Sequence, residues 1–122
     1  MLMIRKEQMG FFDECVSRSF KNRVFAHLIK VWPERCKEIG ESEVRASIEK
    51  GIGRAANYKI TSEMDVVGFI DLMYVHGWDF DRDIRLPWAS DILTDPDLHP
   101  SRKMERLLEI TERVLGFPPR NP

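Results

Sequence analysis

The sequence predicts an all-α protein, a single-domain helical bundle of about four main helices with an ordered Asp/Trp/Pro-rich connection before the last helix. Three observations predict this fold class. Apolar side chains recur at helical spacing, no segment alternates like a strand, and helix-starting and helix-ending residues flank the apolar runs. A chain of 122 residues suits one core. We therefore expect one helical domain over residues 1–116 and a flexible tail over residues 117–122.

The first helix is predicted from the spacing of Phe12, Val16, Phe20, Val24 and Leu28. Pro33 has no N–H to donate, so this helix ends at Trp32 and Pro33 begins a short turn of helix. Gly40 ends that turn. A second helix begins at a Ser42 cap and ends near Asn57.

The second helix has an inward face and two internal glycines. Gly51 and Gly53 each disfavour the helix by about 1 kcal/mol relative to Ala, which predicts a close helix crossing or a bend. Its inward face consists of Val44, Ile48, Ile52 and either Ala55 or Ala56.

The third helix is predicted to be the most buried. It begins at Thr61 or Ser62, ends at His76 and is stopped by Gly77. Its apolar residues cover a wide arc, and they are Val66, Val67, Phe69, Ile70, Met73 and Tyr74.

An ordered connection over residues 78–100 precedes the last helix. Within it, Pro87 begins one or two helical turns that bury Trp88 and Leu93. The last helix is capped by Ser101 and ends at Leu115. Its expected core residues are Met104, Leu107, Leu108 and Val114.

Composition excludes several classes of protein. The net charge of −1 lacks the basic balance of a nucleic-acid domain. No run approaches the roughly 18 apolar residues of a membrane span, and no signal peptide is visible. Cys15 and Cys36 are too few for a disulfide scaffold, so we expect two buried thiols and a cytoplasmic location.

No motif predicts a catalytic residue, a metal ion or a cofactor. Asp79, Asp81 and Asp83 have the spacing that begins a calcium loop, but Ile84 stands where Gly is needed and Ser90 where Glu is needed. The three histidines lack metal-ligand spacing. The incomplete calcium pattern favours a loop in which the three aspartates are solvated or paired with arginine.

The connection is nevertheless the best candidate for a binding surface. Nine acids lie between Glu63 and Asp97, against two arginines, so we expect an acidic surface that steers a basic partner. The aromatic residues there would add buried contact area, although both tryptophans could instead pack the connection onto the helices. The predicted partner-binding residues are Trp78, Asp79, Phe80, Asp81, Asp83, Arg85 and Trp88.

Six motifs follow one another along the chain: P-E-R-C at 33–36, G-I-G-R-A-A-N-Y at 51–58, I-T-S-E at 60–63 with D-V at 65–66, F-I-D-L-M at 69–73, G-W-D-F-D at 77–81 and L-P-W-A at 86–89. Their order over residues 20–110 resembles small bacterial proteins encoded beside type VI secretion spike and effector genes. The resemblance implies an accessory role as adaptor, chaperone or effector-neutralising protein, with a spike or effector as partner. It implies no catalytic residues.

The sequence thus predicts a non-enzymatic protein-interaction module that binds neither nucleic acid nor membrane, with a homo-oligomer left open. Two alternatives also stay open. A small enzyme would place Cys15 or Cys36 beside a histidine in a cleft. A nucleic-acid module would align one exposed basic stripe of Lys21, Arg23, Lys30, Arg35 and Lys37.

Overall fold

The computed structural model describes residues 17–115, and this part of the chain contains helices and no strands. Five α-helices follow in order: α1 (Arg18–Val31), α2 (Pro33–Asn57), α3 (Glu63–His76), α4 (Pro87–Leu93) and α5 (Pro100–Leu115). A short 3₁₀ turn, Phe80–Arg82, precedes α4. The predicted all-α class is confirmed, with five helices in the described residues instead of about four. The flexible tail, Cys15 and the positions Phe12 and Val16 lie outside the described residues.

Local signals place the helix ends. The Ser17 hydroxyl accepts the N–H of Phe20 at 3.1 Å and begins α1. Ser62 caps α3, and Gly77, with a φ of 121°, ends it. Gly40 has a φ of 87° inside α2, so the interruption predicted there is present as a kink within one element.

The core forms where α3 packs against α1, α2, α5 and the 3₁₀ turn. The residues that α3 buries there are Val66, Phe69, Ile70, Leu72, Met73 and Tyr74. The inward face predicted for α2 is also buried, with Ala55 inside and Ala56 partly exposed. A Cβ atom at Gly51 would lie 2.5 Å from Cγ1 of Ile70, so the predicted close helix crossing is confirmed at this glycine.

The last helix ends at Leu115 as predicted, but its start and one of its expected core residues differ from the prediction. It begins at Pro100, and Nδ1 of His99, instead of a Ser101 hydroxyl, accepts the N–H of Ser101 at 3.1 Å. Val114 is 68% exposed and does not belong to the core. Thr111 is buried instead and is hydrogen-bonded to His76 at the end of α3. No helix within residues 17–115 is both long and apolar enough to cross a membrane.

Candidate functional site

The connection between α3 and α4 is anchored by its 3₁₀ turn. The Phe80 side chain is buried, and its ring centroid lies 5.1 Å from that of Phe69. Phe80 is thus part of the core and has no surface to offer a partner. This corrects its expected role as a partner contact.

Asp81 is buried beside Phe80 and is fully paired. One of its oxygens accepts from Nη1 of Arg54 at 2.6 Å, and the other accepts from the Tyr58 hydroxyl at 2.6 Å. Burial, together with the hydrogen bond to Asp81, raises the pKa of Tyr58 to about 12, so the hydroxyl remains a donor. The pairing satisfies a carboxylate that would otherwise be costly to bury.

Asp79 and Asp83 are exposed to different degrees, and both are neutralised within the chain. Asp79 accepts from Nη2 of Arg54 at 2.7 Å and lies 3.5 Å from the Lys50 ammonium. The Arg54 hydrogen bond lowers the pKa of Asp79. Asp83 binds the Arg85 guanidinium. The net acidic surface expected from these three aspartates is therefore not present.

The same pairings bear on the calcium-like spacing. Two of the three carboxylates turn toward Arg54 and the third toward Arg85, so they do not converge on one point. Over the described range, no group of three or more His, Cys, Asp or Glu side chains is arranged to hold a metal ion.

Trp78 and Trp88 pack the connection onto the bundle. Both indoles are partly buried against the core. The Trp78 ring lies 4.8 Å from Tyr74, and the Arg35 guanidinium lies over it at 5.4 Å. Trp88 meets His76 edge-on at 5.5 Å. Their role in binding a partner stays a prediction.

A short turn after the 3₁₀ element presents an isoleucine to solvent. Asp83 accepts from the backbone N–H of Arg85 at 2.9 Å and from its guanidinium at 3.0 and 2.8 Å. The Leu86 N–H donates to the Asp83 carbonyl at 2.9 Å. Ile84, between these bonds, is 91% exposed. We call residues 83–86 the Ile84 turn.

The Ile84 turn borders a shallow depression of about 290 Å³. Its lining residues are Val75, His76, Asp83, Arg85 and Leu86. Hydrogen bonding to Arg85 lowers the pKa of Asp83 to about 2, so the turn keeps its ion pair over the physiological range. Sequence reasoning treated Ile84 only as the residue that breaks a calcium motif. The signal available was a single isoleucine within the charged run Asp81–Arg85.

The thiol needed for a cysteine enzyme is inaccessible at Cys36. The side chain is buried and donates to the Leu28 carbonyl at 3.4 Å. Burial raises the pKa of Cys36, which keeps the thiol protonated and a poor nucleophile. Its predicted buried state is confirmed.

His27 is bound to an aspartate of another helix and does not lie beside the Cys36 thiol in a described hydrogen bond. Its Nε2 lies 3.0 Å from both oxygens of Asp71, which also accepts from the Trp32 indole at 3.1 Å. The sequence did not indicate this arrangement, because His27 and Asp71 lie on different helices, α1 and α3.

The basic residues of the proposed nucleic-acid stripe are divided among different partners. Lys21 pairs with Glu49 at 2.7 Å. Arg23 forms two hydrogen bonds with Glu63, at 3.0 and 3.3 Å. Arg35 stacks over Trp78. These three side chains therefore do not present a row of free cations to a phosphate backbone.

In comparisons with known protein families, curated proteins and solved structures, nothing matches this chain.

Proposed function

We propose that this protein is a non-enzymatic protein-interaction module that binds a protein partner through the Ile84 turn. The observation that carries the proposal is an isoleucine 91% exposed on a turn held by hydrogen bonds within the chain. Burying an isoleucine side chain contributes about 1.5–3 kcal/mol. Because Asp83 and Arg85 already order the turn, little conformational entropy is lost on binding.

The charges around Ile84 indicate the chemistry of the partner. Arg82 and Arg85 are exposed on either side of it, while Asp83 is only partly exposed and is paired with Arg85. The exposed tip is therefore weakly basic. The partner surface that fits is an apolar pocket with carboxylates at its rim, which reverses the sign of the partner charge expected from the sequence.

The class of partner in this proposal comes from the resemblance of the sequence motifs to type VI secretion accessory proteins. On that basis the partner is a secretion spike or effector protein, and the module acts in the cytoplasm as adaptor, chaperone or effector-neutralising protein. The proposal includes no catalytic residue, cofactor or nucleic acid.

Affinity capture from the native host tests the proposal with two matched variants. Ile84→Glu introduces a charge at the turn, and Met64→Glu introduces the same charge on α3, where Met64 is 84% exposed. Both positions are at the surface, so both variants should fold, which circular dichroism can check. We expect a spike or effector protein to be retained by the wild type and by Met64→Glu and to be lost by Ile84→Glu.

Binding kinetics of the purified complex then separate the contribution of the Ile84 side chain from that of the Arg82 charge. Ile84→Ala should weaken the complex by roughly tenfold or more. Arg82→Glu should mainly slow association at low salt. Retention of the partner by Ile84→Glu would reject the turn as the binding surface. Recovery of only a second copy of the chain would replace the proposal with self-association.

A further inference from the structure

A second concave feature lies away from the Ile84 turn. A cavity of about 460 Å³ is bordered by the end of α2, the loop after α4 and the start of α5. None of residues 83–86 lines it. It is therefore independent of the proposed protein interface.

Lys103 in the wall of this cavity is a buried lysine with few partners. Lys103 is only 7% exposed. A lysine this buried is almost always paired with an acid or with several hydrogen-bond acceptors. Within residues 17–115 the Lys103 ammonium makes one hydrogen bond, a long one of 3.4 Å to the Tyr58 carbonyl. An ammonium has three donors, so two remain for a ligand.

The end of α2 fixes the opposite wall. Lys59 takes a left-handed conformation with a φ of 69°. The Lys59 N–H donates to the Ala56 carbonyl at 2.9 Å, and the Ile60 N–H donates to the Ala55 carbonyl at 3.0 Å. These two bonds close the helix in a Schellman motif. This ending places Tyr58 and Lys59 in the lining of the cavity.

The remaining lining residues are neutral. Leu93, Pro96, Leu98 and Pro100 supply apolar surface, and Asn57 and Thr94 supply polar groups. Among the described residues, no acid lines the cavity, so the charge of Lys103 is not balanced there. The cavity thus combines a buried cation with apolar walls and lies at the small end of the range for small-molecule sites.

We propose that this cavity binds a small organic carboxylate, with its anionic end on the Lys103 ammonium and its apolar body against the leucine and proline walls. Lys59 also lines the cavity but is exposed to water, so the one buried positive charge there is that of Lys103, which matches a monoanion. The apolar walls favour a ligand with a hydrocarbon portion over an inorganic anion.

The test is a titration of the full chain, followed by amide NMR, with acetate, butanoate, hexanoate and octanoate. We expect saturable shifts at Tyr58, Lys59 and Thr94. Each added methylene should strengthen binding by roughly three- to fourfold until the walls are covered. Hexanamide, which has the same shape and no charge, should bind much more weakly than hexanoate.

Two variants separate recognition from a structural role of Lys103. Lys103→Met should weaken hexanoate binding by roughly tenfold or more, while Lys30→Met on the exposed face of α1 should leave binding unchanged. Without ligand, Lys103→Met should unfold at the same urea concentration as the wild type or a higher one, because it removes an underpaired buried charge.

Three results would overturn the proposal. They are the absence of saturable shifts with every carboxylate, equal binding of hexanamide and hexanoate, and unchanged binding by Lys103→Met. If Lys103→Met loses much stability, the ammonium also stabilises the end of α2, and the comparison of hexanoate with hexanamide on the wild type then decides whether its charge recognises a carboxylate.

Discussion

Asp81 has no exposed side-chain surface, and its two oxygens accept from the Arg54 guanidinium and the Tyr58 hydroxyl. Asp79 lies two residues earlier, accepts from the same guanidinium and is 64% exposed. The two aspartates thus share a partner but differ in solvation. Water screens the Asp79 pair and cannot screen the Asp81 pair.

This contrast predicts different costs for the same substitution. Asp81→Ala leaves the largely buried Arg54 guanidinium and the Tyr58 hydroxyl without this partner, so it should lower the free energy of unfolding by about 3 kcal/mol. Asp79→Ala should lower it by less than about 1 kcal/mol. Urea unfolding of the two variants measures the difference. Equal costs would contradict a role for burial in the Asp81 pair.

At the scale of elements, the α2–α3 crossing depends on Gly51. A Cβ atom there would lie 2.5 Å from Cγ1 of Ile70 and 3.1 Å from Sδ of Met73. Gly53, in the same helix, has no atom within 4 Å of such a position. The two glycines therefore give a matched pair in which helix propensity is equal and packing is not.

Gly51→Ala should destabilise the fold, because overpacking costs about 1–3 kcal/mol and the gain in helix propensity offsets only about 1 kcal/mol of it. Gly53→Ala should stabilise the fold by up to about 1 kcal/mol. Thermal unfolding followed by circular dichroism gives both signs. A stabilised Gly51→Ala would mean that the helices can separate at this crossing without cost.

The helices could be predicted where their signals are local. Ser62 and Gly77 bound α3 because a cap hydroxyl and a positive φ act within one turn of the chain. Val114 shows the limit of periodicity. Thr111 already meets His76, the last residue of α3, so Val114 in the next turn has no helix to pack against.

The candidate site was less predictable because its electrostatics are tertiary. Asp79 and Asp81 of the connection are neutralised by Arg54 and Lys50, which lie on α2, with the whole of α3 between them in the sequence. A local count of charges therefore predicts an acidic surface at Asp79, Asp81 and Asp83, where tertiary and local ion pairs neutralise all three carboxylates. Ile84 is exposed on a turn in which Asp83 and Arg85 bond to each other, and the spacing of charges alone did not reveal that turn.

At the scale of the whole molecule, two histidines act in opposite directions on stability. The hydrogen bond to Asp71 raises the pKa of His27 above 6.5, so folding favours its protonated form. Burial lowers the pKa of His76 below 6.5, so folding favours its neutral form. The His27 contribution is complete below pH 6.5 and is lost as pH rises through its folded pKa. The His76 environment costs stability as pH falls from 6.5 through its folded pKa.

Single substitutions should separate these opposing effects. Relative to the wild type, His27→Gln should be destabilised by about 1 kcal/mol in acid, with the difference shrinking as pH rises. His76→Gln should show the opposite trend and gain stability relative to the wild type on acidification, because it removes a group that the unfolded chain protonates more readily. Urea unfolding at about pH 5.5 and about pH 8 measures how the free energy of unfolding of each variant changes with pH. If stability changes with pH in the same way in all three proteins, these roles of His27 and His76 are wrong. The carboxylates are common to the three proteins and change their stability equally, so a difference between them comes from the substituted histidine.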